Sequence, residues 1–285
     1  GQSLGRKLII ASLKSPDDLI EVMGSIGSYA AALKTTLGDQ KLDQAFKALM
    51  LGLPTEADIA AALGANVDTD KVLAARDFVR GQLGDRLRDT LLGIWNDTGE
   101  SGAYEPSPAS TGRRALRYAV LGLLAAGTPD TTVKLIQREL ANASNMTAEI
   151  GALTAMLSID APEREQELEK FYARHKGDHL LVDKWFALNA YVAKAAKIEA
   201  LMGHPDFRLS TPNRVYALIG GFTSMNLAGF HAADGEGYRV VADTILKLDK
   251  TNPQVAARLA TGFRSWRLMD EPRRKAATGQ LERIV

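Results

Sequence analysis

Apolar residues recur at intervals of three and four along almost the whole chain, and this spacing admits helices and little else. Leu19, Ile20, Met23 and Ile26 set it early. Leu83, Leu87, Leu91, Leu92 and Trp95 repeat it, followed by Leu116, Val120, Leu123 and Leu124, then Val133, Leu135, Ile136 and Leu140. On a helix such positions share one face, which can be buried. No stretch alternates with period two for long enough to make a convincing strand. The prolines agree. Six of the ten (Pro16, Pro129, Pro162, Pro212, Pro253 and Pro272) stand where the first turn of a helix would begin, a place where the missing N–H has no partner to lose. Ser15, Thr128, Thr211 and Asn252 precede four of them as N-caps. The expected fold class is all-α.

Helix-sized segments follow one another through short polar connectors, and no long Gly/Ser linker interrupts them. The single loop-like stretch is Asn96–Ser110, whose glycines and prolines read as a long connector or a soft boundary. With no strict residue-level repeat, many short helices still suit an α-solenoid of antiparallel helix pairs over residues 1–285. A compact bundle is the competing architecture. The start, Gly1-Gln-Ser-Leu-Gly-Arg6, has no signal-peptide core and reads as a cut inside a longer protein, or else as a tag scar.

Composition removes whole classes of function. Lys plus Arg (35) nearly balances Asp plus Glu (34), so no electrostatic case exists for nucleic acid or an anionic membrane as partner. No apolar run approaches the roughly 20 residues that span a bilayer. The chain has no cysteine, which excludes disulfides, thiolate metal sites and a Cys nucleophile. That composition fits a reducing compartment, and a cytoplasmic location is expected.

Few residues announce chemistry. His175-Lys-Gly-Asp-His179 spaces two imidazoles four apart, which on one helix could bind zinc. Lys176 fills the slot where a zincin has its general base, and Gly177 opposes a continuous helix, so a helix-end loop is expected. Counting alone permits a Ser-His-Asp set, but no G-x-S-x-G elbow accompanies it. Gly220-Gly221 and Gly235-Glu-Gly237 lack a phosphate-loop context. Gly235 and Gly237 are expected to shape a tight turn before a helix at 238–248. Asn145-Met146-Thr147 reads as a capped helix start followed by a core methionine.

Several blocks, in order, carry a resemblance. Arg113–Arg117 opens a helix ending near Gly127. Asn145-Met-Thr147, Asp183-Lys-Trp-Phe186 and His204-Pro-Asp-Phe207 come next, the last running into Asn213-Arg214. Phe230-His-Ala232, Asp234-Gly235, Gly237-Tyr238 and Asn252-Pro-Gln-Val255 with Arg258 complete the set. The chain resembles the C-terminal helical domain of bacterial aminopeptidase N, a zinc exopeptidase family. The likeness is dense from Arg113 to Leu259 and sparse before it.

The resemblance implies that zinc belongs to an upstream catalytic domain of the same polypeptide, since neither H-E-x-x-H nor G-x-M-E-N occurs here. It implies no cofactor in this chain and a role as lid and chamber wall that limits entry to small peptides. Gln254, Arg258 and Arg214 are the residues it places at a substrate cavity. Gln254 and Arg258 lie four apart, on one face of a helix opened by Asn252-Pro253. The Arg258 fork suits a peptide carboxylate, although a pairing with a carboxylate such as Asp249 is the structural alternative. At Tyr216 this chain departs from relatives that carry a basic residue there. Two readings compete: a stand-alone solenoid adaptor binding protein or peptide in its groove, and an independent all-α hydrolase.

Overall fold

The computed structural model describes residues 2–13, 19–99 and 104–285. Pro16 and Ser15, the first of the expected helix starts, lie outside them, as does part of the Asn96–Ser110 connector. Among the described residues the chain is helical with no strand; a single isolated bridge pairs Val67 with Met269. The all-α expectation holds. The chain forms two compact units, residues 1–55 with 74–165 and residues 56–73 with 166–285. The 96–110 stretch lies wholly inside the first.

In the first unit most of the 83–95 stripe is buried as spaced: Leu83, Leu87, Leu91 and Trp95 face the core, while Leu92 is half-buried. Leu116, Val120, Leu123 and Leu124 on helix Pro108–Gly127 do the same. That helix takes in the last three residues of the expected connector. Ser107 caps it by accepting from the Ser110 amide at 3.3 Å, with Pro108 in the first turn. Glycine lets backbones meet. A Cβ on Gly84 would stand 2.1 Å from the Leu123 carbonyl oxygen, and one on Gly127 would stand 2.3 Å from the Asp85 nitrogen. Arg117 locks the unit: its guanidinium lies 3.4 Å from the Trp95 ring centroid, donates to the Trp95 carbonyl at 2.7 Å, and pairs with Glu139 at 2.7 Å.

Two local expectations are corrected here. Ile20 is 86% exposed. The buried line of helix Leu19–Gly38 runs through Val22, Ile26, Ala30, Leu33 and Leu37, and Ile20 stands two residues, or about 200° of helical turn, from Val22. Met146 is half-buried and not a core residue. Its neighbour Asn145 does cap helix Met146–Leu157, accepting from the Ala148 amide at 2.9 Å.

The second unit is built round two aromatic knots and a glycine turn. The helices Pro162–His175 and His179–Val192 meet at a short turn, so His175 ends one helix and His179 begins the next. Segment 56–73 is tied in by the Val67 bridge, where the Val67 amide donates to Leu268 and the Asp270 amide to Val67. Gly235 adopts φ +74° at the start of helix Glu236–Asp249, two residues earlier than expected. Two residues on, a Cβ at Gly237 would lie 2.3 Å from the Phe230 carbonyl oxygen. Both glycines are required there, one for left-handed backbone and one for close approach.

Candidate functional site

Helix starts set the site. Asn252 accepts from the Val255 amide at 3.2 Å, and Pro253 takes the first position of helix Pro253–Ala260. The capping expected of Asn252 is thus present. At Thr128 and Thr211 the helices start as expected, but neither side chain makes the cap bond. The Thr128 hydroxyl turns back to the Leu124 carbonyl instead, because that residue also terminates the preceding helix.

Helix Pro253–Ala260 passes into a 3-10 segment, Thr261–Leu268. At three residues per turn, positions three apart eclipse. The pairs Thr261/Arg264 and Gly262/Ser265 therefore form two adjacent rows, and all four line a cavity of about 490 Å³. The opposite wall comes from the π-helical turn Tyr216–Gly220 and the short helix Gly221–Met225. A Cβ at Gly262 would come within 2.9 Å of Thr223, so glycine brings the walls together. The whole lining belongs to the second unit.

Arg258 lines this cavity, and its guanidinium carbon lies 4.6 Å from the Tyr216 ring centroid. No described carboxylate pairs with it; Asp249 does not. A guanidinium resting on an aromatic face keeps its in-plane donors available. Tyr216 therefore serves here as a platform for Arg258. Gln254 is exposed on the same helix and is not part of the lining.

Arg214 is placed elsewhere. Its side chain is buried; Nε donates to Asp183 at 2.5 Å, Nη1 to the Asp206 carbonyl at 2.7 Å, and Nη2 to the His179 carbonyl at 3.3 Å. Tyr172 donates to the other side of this knot, at Asp206 Oδ2, 2.6 Å away. That hydrogen bond, with desolvation, holds the Tyr172 phenol up to about 12. Trp185, Phe186, His204 and Phe207 pack round it with ring centroids 4.9–5.8 Å apart. Asp183–Phe186, His204–Phe207 and Arg214, separate blocks in the sequence, are thus one structural clamp.

The second knot adjoins the cavity. His231 is fully buried; Nδ1 lies 2.6 Å from the Tyr238 hydroxyl and Nε2 3.1 Å from Ser265 Oγ. Its carbonyl accepts from Thr69 at 3.2 Å and from Arg273 Nε at 2.7 Å. Arg273 also pairs with Asp270 at 2.5 Å, with Asp68 at 3.3 Å, and with Asp70. Burial, helped by the Arg273 charge, pushes the His231 imidazole down to about 3. Burial also raises the Tyr238 phenol. The sequence pointed to His231 and Tyr238 but not to Ser265, Arg264 or Arg273. Asp70 and Arg273 are 203 positions apart, and no short motif spans such a gap.

Among the described residues no group of three His, Asp or Glu side chains converges in a way that could hold a metal ion. The donors here do not fit zinc. No described helix is long and apolar enough to cross a membrane.

A family model described as a domain of unknown function (DUF3458_C) with ARM repeats matches residues 1–285. The chain belongs to that family. It also aligns with curated relatives named aminopeptidase N: 37% identity over 289 residues for the Caulobacter vibrioides protein, covering all of this chain and 33% of the relative. The Escherichia coli protein is 32% identical over 258 residues, covering 90% of this chain and 29% of its own length. This ARM-repeat chain thus spans about a third of the relatives it matches, corresponding to their C-terminal domain. Among solved structures it is similar to Legionella pneumophila aminopeptidase A in complex with aspartic acid. The TM-score there is 0.80 at 26% identity, covering 97% of this chain and 36% of that one.

Proposed function

We propose that this chain is the C-terminal module of a zinc-dependent aminopeptidase N, which caps the catalytic domain of the same polypeptide and restricts peptide access to it. Zinc would reside in that catalytic domain and activate water there; this chain contributes positioning and size selection. The observation that carries the reading is Arg258, a guanidinium held on Tyr216 at the wall of a cavity, with no carboxylate among the described residues to neutralise it. Such a group matches the C-terminal carboxylate of a short peptide, through a charge-assisted contact that a longer or blocked peptide could not repeat in the same place. Helical repeats suit the task because each packs mainly on its neighbours and offers a continuous wall.

The test compares this chain with the full-length polypeptide on an alanyl-nitroanilide and on di-, tri- and tetrapeptides. The chain alone is expected to hold no stoichiometric zinc after dialysis and to turn nothing over. In the full-length enzyme Arg258→Ala should raise KM for short peptides about tenfold, with a smaller effect on kcat, since the lost contact is remote from the bond cleaved. A zinc-loaded, active isolated chain would sink the reading. So would peptide kinetics that Arg258→Ala leaves untouched.

A further inference from the structure

Besides the Tyr216 phenol under Arg258, four aliphatic hydroxyls line the cavity, and three of them have already used their protons. Thr223 and Ser224 both donate to the Gly220 carbonyl, at 3.1 and 2.7 Å, and Thr261 donates to the Arg258 carbonyl at 2.7 Å. Ser265 is different. Its only hydrogen-bond partner among the described residues is His231 Nε2.

Which of the two donates follows from Tyr238. That hydroxyl is fully buried, and its only hydrogen-bond partner among the described residues is His231 Nδ1. Were Nδ1 protonated, the Tyr238 proton would be left buried with no acceptor, a penalty on the order of 1–3 kcal/mol. Tyr238 therefore donates to Nδ1, and the neutral imidazole carries its proton on Nε2 and donates to Ser265 Oγ. With burial holding the imidazole well below its ordinary range, this orientation persists through neutral pH. Ser265 thus accepts from behind and keeps its own proton for the cavity, in the row next to Arg264 and on the same lining as Arg258.

We infer that Ser265 is a directed hydrogen-bond donor which, with Arg258, takes the free carboxylate at the C-terminus of a peptide and selects it over the C-terminal amide. The inference rests on the peptide-binding reading of the cavity. A carboxylate accepts from the hydroxyl and the guanidinium at once, and both bonds gain from its charge; an amide oxygen has no charge to offer. His231 and Tyr238 are positioning residues, acting through the hydroxyl they orient.

The experiment measures kcat/KM in the full-length enzyme for one tripeptide as the free acid and as its C-terminal amide. It uses the natural sequence and the variants Ser265→Ala, Ser265→Thr and Arg258→Ala. The acid-to-amide ratio is expected to fall about tenfold in Ser265→Ala and to return in Ser265→Thr, which keeps the hydroxyl. A merely structural role would lower both substrates together and leave the ratio where it was, and that outcome overturns the inference. Arg258→Ala separates the two claims. If it removes the preference for the acid while Ser265→Ala does not, Ser265 is no ligand and the cavity reading stands. If neither changes the ratio, the cavity does not read carboxylates at all.

Discussion

Two arginines that look alike in the sequence play opposite parts. Arg214 is enclosed, with Asp183 beside it and two main-chain carbonyls accepting from it. Removing it leaves the half-buried Asp183 carboxylate without its cation and two main-chain carbonyls without their donor, and Arg214→Ala should cost about 3 kcal/mol. Arg258 is exposed and supports nothing but its own stacking, so Arg258→Ala should leave the urea midpoint almost where it was. Equal midpoints for the two variants would contradict this division. His231 gives a pH-dependent prediction. Its imidazole is held down to about 3 in the folded chain, against an ordinary value near 6.5, so the unfolded chain binds the extra proton and stability rises with pH across that interval. Lowering pH from 7 to 5 should remove about 2 kcal/mol through this residue alone. The charges near it, Arg273 with Asp68, Asp70 and Asp270, are present in His231→Gln as well. The difference in pH slope between that variant and the natural sequence, read from urea midpoints, therefore isolates the imidazole.

At the scale of elements, glycine decides how closely helices approach. Gly84 and Gly127 put the 74–86 part of helix Thr69–Arg86 against helix Pro108–Gly127 with no room for a methyl group. Gly84→Ala should destabilise the first unit by about 1–3 kcal/mol or more, because main chain and not a flexible side chain must yield. Gly93 lies in helix Arg88–Asp97 with nothing within 4 Å of its would-be Cβ. Gly93→Ala should stabilise by about 0.5–1 kcal/mol, through the lower entropy of the unfolded chain and the better helix propensity of alanine. Both are measurable from Trp95 fluorescence during urea unfolding. A loss of stability on Gly93→Ala would refute the account of that helix.

At the scale of the whole molecule, each compact unit has its own buried core, and stability in helical-repeat proteins is approximately a sum of local terms. Unfolding should then depart from a single two-state transition. Trp95 reports the first unit, while Trp185 and Trp266 report the second. In Trp95→Phe the remaining fluorescence should follow a midpoint different from that of a variant retaining Trp95 alone. Superimposable curves, with a calorimetric enthalpy equal to the van't Hoff value, would show one cooperative block instead.

The fold class was legible because it is written in short-range physics. A proline in the first turn, a cap accepting from an amide three residues on and an apolar face recurring within one turn all act inside four or five positions. Pro129, Pro162, Pro212 and Pro253 accordingly open their helices where the sequence put them, and most of the Leu83–Trp95 stripe is buried as spaced. Periodicity does not say which of several apolar residues turns inward, which is why Ile20 was misread. Nor does residue type say whether an arginine is a clamp or a free donor. Arg214 became a clamp when Asp183 and the carbonyls of His179 and Asp206 closed round it. Arg258 kept its donors because Tyr216 lay beneath it. The Ser265 hydroxyl acquired a direction only when the turn at Gly235 and Gly237 set Tyr238 against His231, and the 3-10 segment set Ser265 on its other nitrogen. Helices follow from neighbours along the chain. The cavity follows from groups that only packing brings within hydrogen-bond reach, and there the tertiary structure decides.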